Sequence, residues 1–236
     1  MALPKLNDQP KFDLVIPSSQ KNARFRPFLV KEEKILLIAL ETNDQTAMLN
    51  AIADTIEACS VDNIETTQLT TFDIEYLFTQ LRSKSVGETS KINMICKECG
   101  GETEQQVNVD KVKMEGGTKS NIIDVAPGIQ IELQYPSYKK IMTDEIMNSE
   151  KASDATFAMI RACVKAVLTE EERIDMADED PKSVDEFIES MSSQQFNMIR
   201  EYIDDIPTMR HTHSWTCEHC NTEQETVLEG MQAFFS

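Results

Sequence analysis

The stretch Ile95-Cys96-Lys97-Glu98-Cys99 and its counterpart Thr216-Cys217-Glu218-His219-Cys220 decide the fold of this chain. In each stretch two cysteines are separated by two residues, a spacing that lets both thiolates of a tight turn bind one metal ion. Two such turns supply the four sulfurs of a tetrahedral zinc site. We therefore predict that Cys96, Cys99, Cys217 and Cys220 hold one structural Zn²⁺, with 117 residues (100 to 216) inserted between the two turns.

The residues after the two cysteine pairs are also similar. Cys99 is followed by Gly-Gly-Glu-Thr-Glu-Gln-Gln-Val, and Cys220 by Asn-Thr-Glu-Gln-Glu-Thr-Val. Polar turn residues followed by such a run are typical of a hairpin with a returning strand. We call 96–99 and 217–220 the two knuckles and interpret them as halves of one zinc-ribbon-like site. A closed four-thiolate site has no position for a reactive water, so its metal would stabilise the fold and not catalyse.

Other interpretations of these cysteines remain open. Two disulfides are one alternative, but no signal peptide precedes them, and the other two cysteines, Cys59 and Cys163, lie in helix-like segments that suit a reducing compartment. A thioredoxin-type redox pair is a second alternative, although two pairs with matching tails disfavour it. The three histidines, His211, His213 and His219, are spare candidate ligands that we expect on the hairpin surface.

Composition and charge narrow the class of protein. The 236 residues carry a formal net charge of -18, and segment 141–206 alone has 6 basic and 17 acidic residues. Such a field repels phosphate backbones, so we predict no nucleic-acid partner. The acidity indicates either a solvated surface or a basic protein partner. No run of about 18 apolar residues occurs, which predicts no membrane span, and the first residues lack an apolar signal core, which predicts a cytoplasmic protein.

The pattern of the N-terminal part predicts strands and then helices. We expect strands at 12–17 and at 24–30, with Pro27 confining the latter to an edge or bulge. The apolar run 34–40 suits a buried strand or the core of a helix, and its neighbours favour the strand. Asn43 is the expected N-cap of a helix that reaches Cys59, and Thr71 the expected cap of a second helix ended by 86–88. A strand from Ser90 leads into the first knuckle.

After the first knuckle we expect a returning strand at 104–112 and a strictly alternating strand at 129–133. Helices are predicted at 138–147 and after Ser153-Asp154, the latter carrying an apolar stripe formed by Phe157, Ile160, Cys163, Val164, Val167 and Leu168. The composition of segment 169–182 is typical of an acidic solvated loop, and it lacks the spacing of a calcium loop. Ser183 and Ser192-Ser193 are expected to start further helices, 205–207 to end them, and 209–215 to be the strand that enters the second knuckle.

The predicted fold class is α+β: small mixed sheets with several helices, and a zinc-ribbon-like pair of hairpins that together carry four cysteines and are closed by a long helical insertion. We expect an N-terminal α+β domain at 1–90 and a zinc-ribbon-like domain at 91–236, which contains the helical acidic insertion 137–206.

The chain carries none of the common catalytic sequence patterns. It has no Gly-rich phosphate loop, no Gly-x-Ser-x-Gly elbow and no His-Glu-x-x-His. Its carboxylates occur in surface runs and not as an isolated acid/base pair among apolar residues. We therefore expect a protein that is not an enzyme.

Three stretches, taken in order, carry a family resemblance: 24–34 (Arg-Phe-Arg-Pro-Phe-Leu-Val-Lys-Glu-Glu-Lys), 71–88 (beginning Thr-Phe-Asp-Ile-Glu-Tyr-Leu-Phe), and the knuckle 96–99. The chain resembles the baseplate hub assembly proteins of T-even-like contractile-tailed phages, closely in its N-terminal half and loosely in its C-terminal half. The resemblance implies a virion-assembly protein made in the infected bacterium. It would bind other baseplate hub or tail proteins as part of a multi-subunit assembly.

The residues and the resemblance together predict a non-enzymatic structural protein, in the host cytoplasm during assembly and in the tail baseplate of the virion. The candidate contact surfaces are 24–34, 71–84 with Arg82 and Lys84, and the Phe234-Phe235 tail. Two alternatives from other classes are a zinc-ribbon nucleic-acid or transcription adaptor and a Cys-x-x-Cys redox protein.

Overall fold

A short hairpin opens the described part of the chain in this computed structural model, which describes residues 10–42, 44–147, 149 and 151–234. Strand β1 (Phe12–Val15) pairs antiparallel with β2 (Asn22–Phe25). The strand predicted at 12–17 is confirmed, whereas the one predicted at 24–30 ends at Phe25. Pro27 has no N–H with which to extend the pairing, and the backbone turns into a helix soon after it.

Helices dominate the next segment, which contains α1 (Val30–Glu41), α2 (Gln45–Cys59) and α3 (Thr71–Ser85), with a 3₁₀ turn at Thr66–Gln68. The strand predicted at 34–40 is wrong, because this apolar run lies within α1. Its first turn is fixed by Glu32, whose carboxylate accepts a hydrogen bond from the amide of Leu29 at 2.8 Å. An amide that a helix start would otherwise leave unpaired is thereby satisfied.

Capping residues fix the starts of the next two helices one position away from the prediction. Asp44 caps α2 by accepting hydrogen bonds from the amides of Thr46 and Ala47; the predicted cap, Asn43, lies outside the described residues. Thr70, and not Thr71, caps α3, since Thr70 and Asp73 exchange side-chain to backbone hydrogen bonds. This reciprocal pair is a capping box.

The first knuckle joins strand β3 (Thr89–Ile95) to β4 (Glu102–Asn108), which pair antiparallel along their whole length. A 3₁₀ turn at Val109–Lys111 and a short strand β5 (Lys113–Glu115) follow. The returning strand predicted at 104–112 is therefore present but ends at Asn108, where the Asn108 side chain accepts a hydrogen bond from the amide of Asp110.

The following segment forms a separate sheet-and-helix structure. Its strands are β6 (Ile122–Ala126), β7 (Ile129–Leu133), β8 (Val164–Thr169) and β9 (Arg173–Asp175), arranged antiparallel in the order β6-β7-β8-β9. Its helices are α4 (Tyr138–Ile141), α5 (Asp144–Met147), α6 (Ala152–Cys163), α7 (Pro181–Glu189) and α8 (Ser193–Asp204). Buried side chains from the strands and helices form its core, namely Ile131, Leu133, Ile160, Val164, Val184, Ile188, Ile199 and Tyr202.

Several predictions for this segment need correction. The helix after Ser153 ends at Cys163, and its supposed continuation, from Val164 to Leu168, is strand β8. The loop predicted at 169–182 contains β9. Helix α7 begins at Pro181, and its cap is Asp180, three residues before the predicted cap Ser183. The strand at 129–133, the helix start at Ser192 and its end before Pro207 are confirmed.

The chain then returns to the knuckles through β10 (Thr208–Thr216) and β11 (Glu223–Glu229), which form a three-stranded sheet in the order β11-β10-β5. A 3₁₀ turn at Met231–Phe234 follows. The predicted class is confirmed: helices and small sheets mix in an α+β fold that contains a four-cysteine cluster. None of the described helices has both the length and the apolar character needed to cross a membrane.

The chain divides into two compact units: unit 1 contains 1–115 and 208–236, and unit 2 contains 116–207. These boundaries differ from the predicted domains, 1–90 and 91–236, because the hairpin of the second knuckle packs on the N-terminal helices. In unit 1, the Thr79 hydroxyl of α3 donates to the sulfur of Met209 in β10 at 3.4 Å. Unit 2 contains the predicted helical insertion together with strands β6 and β7.

Candidate metal centre

The two knuckles have the same backbone structure. In the first, the Cys96 amide donates to the carbonyl of Gly101 (2.9 Å), and the Gly100 amide donates to that of Cys96 (2.9 Å). In the second, Cys217 donates to Thr222 (3.0 Å), and Asn221 donates to Cys217 (2.9 Å). Gly100 and Asn221 occupy the same place in the turn, and both have left-handed φ values, 71° and 57°.

These left-handed positions explain two residues of the sequence. Gly adopts a left-handed backbone without strain, and Asn is among the few other residues that tolerate it. The tight turn that they close brings each pair of cysteine sulfurs to one end of its hairpin. The cysteine pairs and the residues after them are therefore similar in sequence because both knuckles form the same local structure.

The four predicted ligands meet in space. The sulfurs of Cys96, Cys99, Cys217 and Cys220 all lie within 4.8 Å of one another. Across the knuckles, Cys96 Sγ is 3.7 Å from Cys220 Sγ, and Cys99 Sγ is 3.6 Å from Cys217 Sγ. A tetrahedral zinc with Zn–S bonds of about 2.3 Å requires sulfurs roughly 3.8 Å apart. The cluster therefore has the donor type, number and spacing that fit one such ion.

One cysteine of each knuckle is buried and the other is exposed. Cys96 and Cys217 lie in a hydrophobic cluster with Ile92, Met94, Val107, Val109, Met209, Trp215 and Leu228. Trp215 is buried there, and its indole N–H donates to the hydroxyl of Thr226 at 2.9 Å. The tryptophan thus packs in the apolar layer that supports both knuckle hairpins.

Amide groups are directed at the sulfurs. The Gly101 amide donates to Cys99 Sγ and the His219 amide to Cys217 Sγ, both at 3.4 Å. Thr222 Oγ1 lies 3.3 Å from Cys220 Sγ. The amide donors of Gly101 and His219 stabilise thiolates, which are the form that binds metal. The knuckles are also linked directly, since the amide of Glu218 donates to the hydroxyl of Thr103 at 3.3 Å.

The pKa values of two clustered thiols, Cys217 and Cys99, are shifted in opposite directions. Burial would raise the pKa of Cys217, but amide donors from Cys220 and His219 and the neighbouring thiols lower it to about 6. At Cys99 the Gly101 amide lowers the pKa, yet the thiols of Cys220, Cys217 and Cys96 raise it to about 12. In the crowded cluster Cys217 therefore loses its proton easily, whereas Cys99 keeps its proton. A divalent cation at the centre would replace those protons and remove the repulsion between thiolates.

The histidines stand apart from the sulfur group, which contains none of them among the described residues. His219 Nε2 lies 2.9 Å from the carbonyl oxygen of Glu102, and its ring covers Gly101, where an added Cβ would be 2.4 Å from the ring. His211 and His213 lie on β10 with ring centroids 6.0 Å apart, and burial lowers the pKa of His213. Sequence reasoning missed the contact between Gly101 and His219, whose only signal was a second consecutive glycine.

The other two cysteines do not join the cluster. Cys59 and Cys163 are buried, and burial raises their pKa values to about 11 and about 12. A thiol with such a pKa is protonated at neutral pH and reacts slowly. The acidic segment 169–182 likewise provides no metal-ligand group among the described residues.

The predicted contact surfaces are partly buried. Within 24–34, Phe25 is fully buried and Glu32 nearly so. Helix α3 buries most of one side, including Phe72, Ile74, Leu77, Phe78 and Leu81, while Lys84 is exposed. Of the predicted tail, Phe235 lies outside the described residues, as does the side chain of Phe234. The predicted surface 24–34 includes only the start of α1; the exposed apolar residues after Lys34 were not among the predicted surfaces, because they were expected in a strand.

Comparison with known protein families gave a match. The family model described as "T4 bacteriophage base plate protein" matches residues 9–236, nearly the whole chain. No curated protein and no solved structure matches the chain.

Proposed function

Because the chain belongs to the family of T4 bacteriophage base plate proteins, we propose that it is a zinc-stapled scaffold that binds other baseplate hub or tail proteins while the baseplate is built. Family membership makes it a structural baseplate protein and a component of the virion. The proposal adds the metal, the assembly role and the host cytoplasm as the place where assembly occurs.

The observation that carries the metal assignment is the meeting of four sulfurs within 4.8 Å from segments more than 100 residues apart in sequence. Four thiolates complete a tetrahedron and leave no position for water, so the proposed ion is structural. It would join the β3–β4 hairpin to the β10–β11 hairpin in unit 1. That link supports a rigid surface for neighbouring subunits and provides no catalytic centre.

The metal is tested by its content and by thiol reactivity. We expect about one zinc per chain after purification without chelator, and loss of that zinc in the double variant Cys217→Ser/Cys220→Ser. The matched control, Cys59→Ala/Cys163→Ala, removes the same number of thiols and should retain full zinc content. Metal-free wild-type protein whose knuckle thiols react rapidly with a thiol reagent would instead support the redox alternative.

The assembly role is tested in infected cells. A phage lacking this chain should accumulate incomplete baseplates, and the wild-type protein supplied from a plasmid should restore them. The Cys217→Ser/Cys220→Ser variant should restore far fewer, whereas Cys59→Ala/Cys163→Ala should act as wild type. Normal baseplates without the chain would refute the assembly role and leave the metal result unaffected.

A further inference from the structure

Helix α1 exposes an unusual amount of apolar surface. Val30, Ile35, Leu37, Ile38 and Leu40 are each between 49% and 79% exposed, all within twelve residues. The same helix buries Glu32 and Ala39, and it packs against α2. A helix that is apolar on nearly every side is normally covered on every side, and contiguous apolar patches on proteins mark interaction sites.

The outward side of α1 has a definite order. At 100° per residue, Val30, Lys34, Leu37, Ile38 and Glu41 recur at intervals of three or four and so form one stripe. Leu37 and Ile38 stand at its middle, with Lys34 one turn before them and Glu41 one turn after. Lys34 and Glu41 are exposed, and neither has an ion-pair partner among the described residues.

We propose that this stripe is covered by the α1 stripe of a second copy of the chain, packed antiparallel about a twofold axis between Leu37 and Ile38. In that arrangement Leu37 and Ile38 of one copy pack against the same pair of the other. Lys34 then faces Glu41 of the second copy, and Glu41 faces its Lys34. The stripe is therefore complementary to itself in both shape and charge, as a twofold interface requires.

The overall charge of -18 does not oppose this contact strongly. Surface charges separated by more than about 8 Å are screened at physiological salt. Near the axis the charges are balanced, because each copy brings one cation and one anion to the stripe. The inference concerns self-association through α1 and does not depend on the metal or on the proposed assembly role.

The first test is the mass of the full chain in solution. Sedimentation equilibrium at micromolar concentrations and physiological salt should give twice the monomer mass of 26.8 kDa. The double variant Leu37→Ser/Ile38→Ser should shift the protein to monomer. A matched control, Val86→Ser/Val227→Ser, also removes two exposed apolar side chains from unit 1 but leaves α1 intact, and it should remain a dimer.

The second test is a charge exchange that only the antiparallel register predicts. Lys34→Glu alone, or Glu41→Lys alone, places like charges opposite each other twice per dimer and should raise the dissociation constant about tenfold. The double variant Lys34→Glu/Glu41→Lys restores both pairs and should return the constant close to that of wild type. Lys21→Glu, an exposed site outside α1, changes the net charge as much as Lys34→Glu does and should have little effect.

Two results would overturn the inference. If the wild-type chain remained monomeric at tens of micromolar, the α1 stripe would not bind a second copy, and its partner would be a protein of different sequence. If the protein dimerised but its dissociation constant did not change in Lys34→Glu or Glu41→Lys, the contact would lie elsewhere on the molecule. Circular dichroism of every variant separates loss of association from loss of fold.

Discussion

The Arg26 guanidinium joins three segments of unit 1 at a single residue. It donates to Glu32 Oε1 at 2.8 Å, to the carbonyl of Pro27 at 3.0 Å and to that of Ala58 at 2.8 Å. Glu32 in turn accepts from the amide of Leu29. The start of α1 and the end of α2 are thereby attached to the same cation. Side-chain exposure is 21% for Arg26 and 3% for Glu32, so this ion pair is largely shielded from water.

Replacing Glu32 by Gln should destabilise the protein by about 3 kcal/mol, the lower part of the range for breaking a buried pair, because Arg26 retains its two carbonyl partners. The matched control is Glu33→Gln, which changes the next residue of α1, an exposed carboxylate, in the same way; it should change stability by less than about 0.5 kcal/mol. Urea unfolding of both variants measures the difference. Equal losses would show that the pair contributes little.

The same pair gives stability a defined dependence on pH. Burial alone would raise the pKa of Glu32, but the hydrogen bonds from Arg26 and the Leu29 amide outweigh it and hold the pKa below its usual value. A lowered folded-state pKa means that the stabilisation is complete above the unfolded-state pKa and is lost as pH falls through the folded-state value. In urea unfolding measured at each pH, Glu32→Gln should therefore lose less stability than wild type does on acidification from pH 5 to about pH 3.

For individual residues, the sequence predicted the structure correctly where bonding chemistry fixes the spacing between them. Two thiolates bind one ion only within a narrow geometry, so the spacing of the cysteine pairs was enough to predict that Cys96, Cys99, Cys217 and Cys220 lie together. Neither the Arg26–Glu32 pair nor the cover of His219 over Gly101 has such a spacing rule. Both result from how neighbouring segments pack, which no local pattern records.

The helices and strands that were predicted correctly are those with a strong local sequence pattern. Strict alternation identified β7, and the serines at 192–193 identified the start of α8, where the structure shows a capping box between Ser192 and Gln195. The apolar run 34–40 has no such signal, because a continuous run suits a buried strand and a helix equally. It is a helix whose first turn is fixed by Glu32 and Arg26.

At the junction between α6 and β8, by contrast, a clear local pattern gave a wrong prediction. An apolar stripe with helical spacing continues from Phe157 to Leu168, yet the helix ends at Cys163. From Val164 onward the chain pairs with β7, where Val167 lies opposite Ile131. That partner is far away in sequence, and the β-branched valines favour the extended backbone once it is present. Strand pairing with β7 therefore outweighed the helical spacing of the apolar residues.

In the whole molecule, unit 2 is inserted at neighbouring strands of unit 1. The chain leaves unit 1 after β5 and returns at β10, and these strands pair antiparallel, with Glu115 opposite Thr208. Within unit 2 the two ends are also held together, since the Gly117 amide donates to the Asp205 carbonyl and the amides of Thr118 and Lys119 donate to the Asp205 carboxylate. Close ends let an inserted unit fold around its own core.

This organisation predicts that the proposed metal supports one unit and not the other. All four knuckle cysteines belong to unit 1, and a link between the knuckles closes a long loop, so it removes much conformational entropy from the unfolded chain. The unit 2 core, including Ile160, Ile199 and Tyr202, contains no knuckle residue. Removing zinc with a strong chelator should therefore destabilise the hairpins of unit 1 and leave the sheet and helices of unit 2 folded.

Hydrogen exchange of the full chain measures both units at once. After chelation we expect faster exchange of amides in β3, β4, β10 and β11, while amides in β7, β8 and α8 keep their protection. The reciprocal variant Ile199→Ala leaves a cavity in unit 2 and should cost that unit about 3 kcal/mol, with zinc content and hairpin protection unchanged. If chelation instead accelerated exchange equally in both units, the two would fold as one cooperative body, and the metal would support the whole molecule.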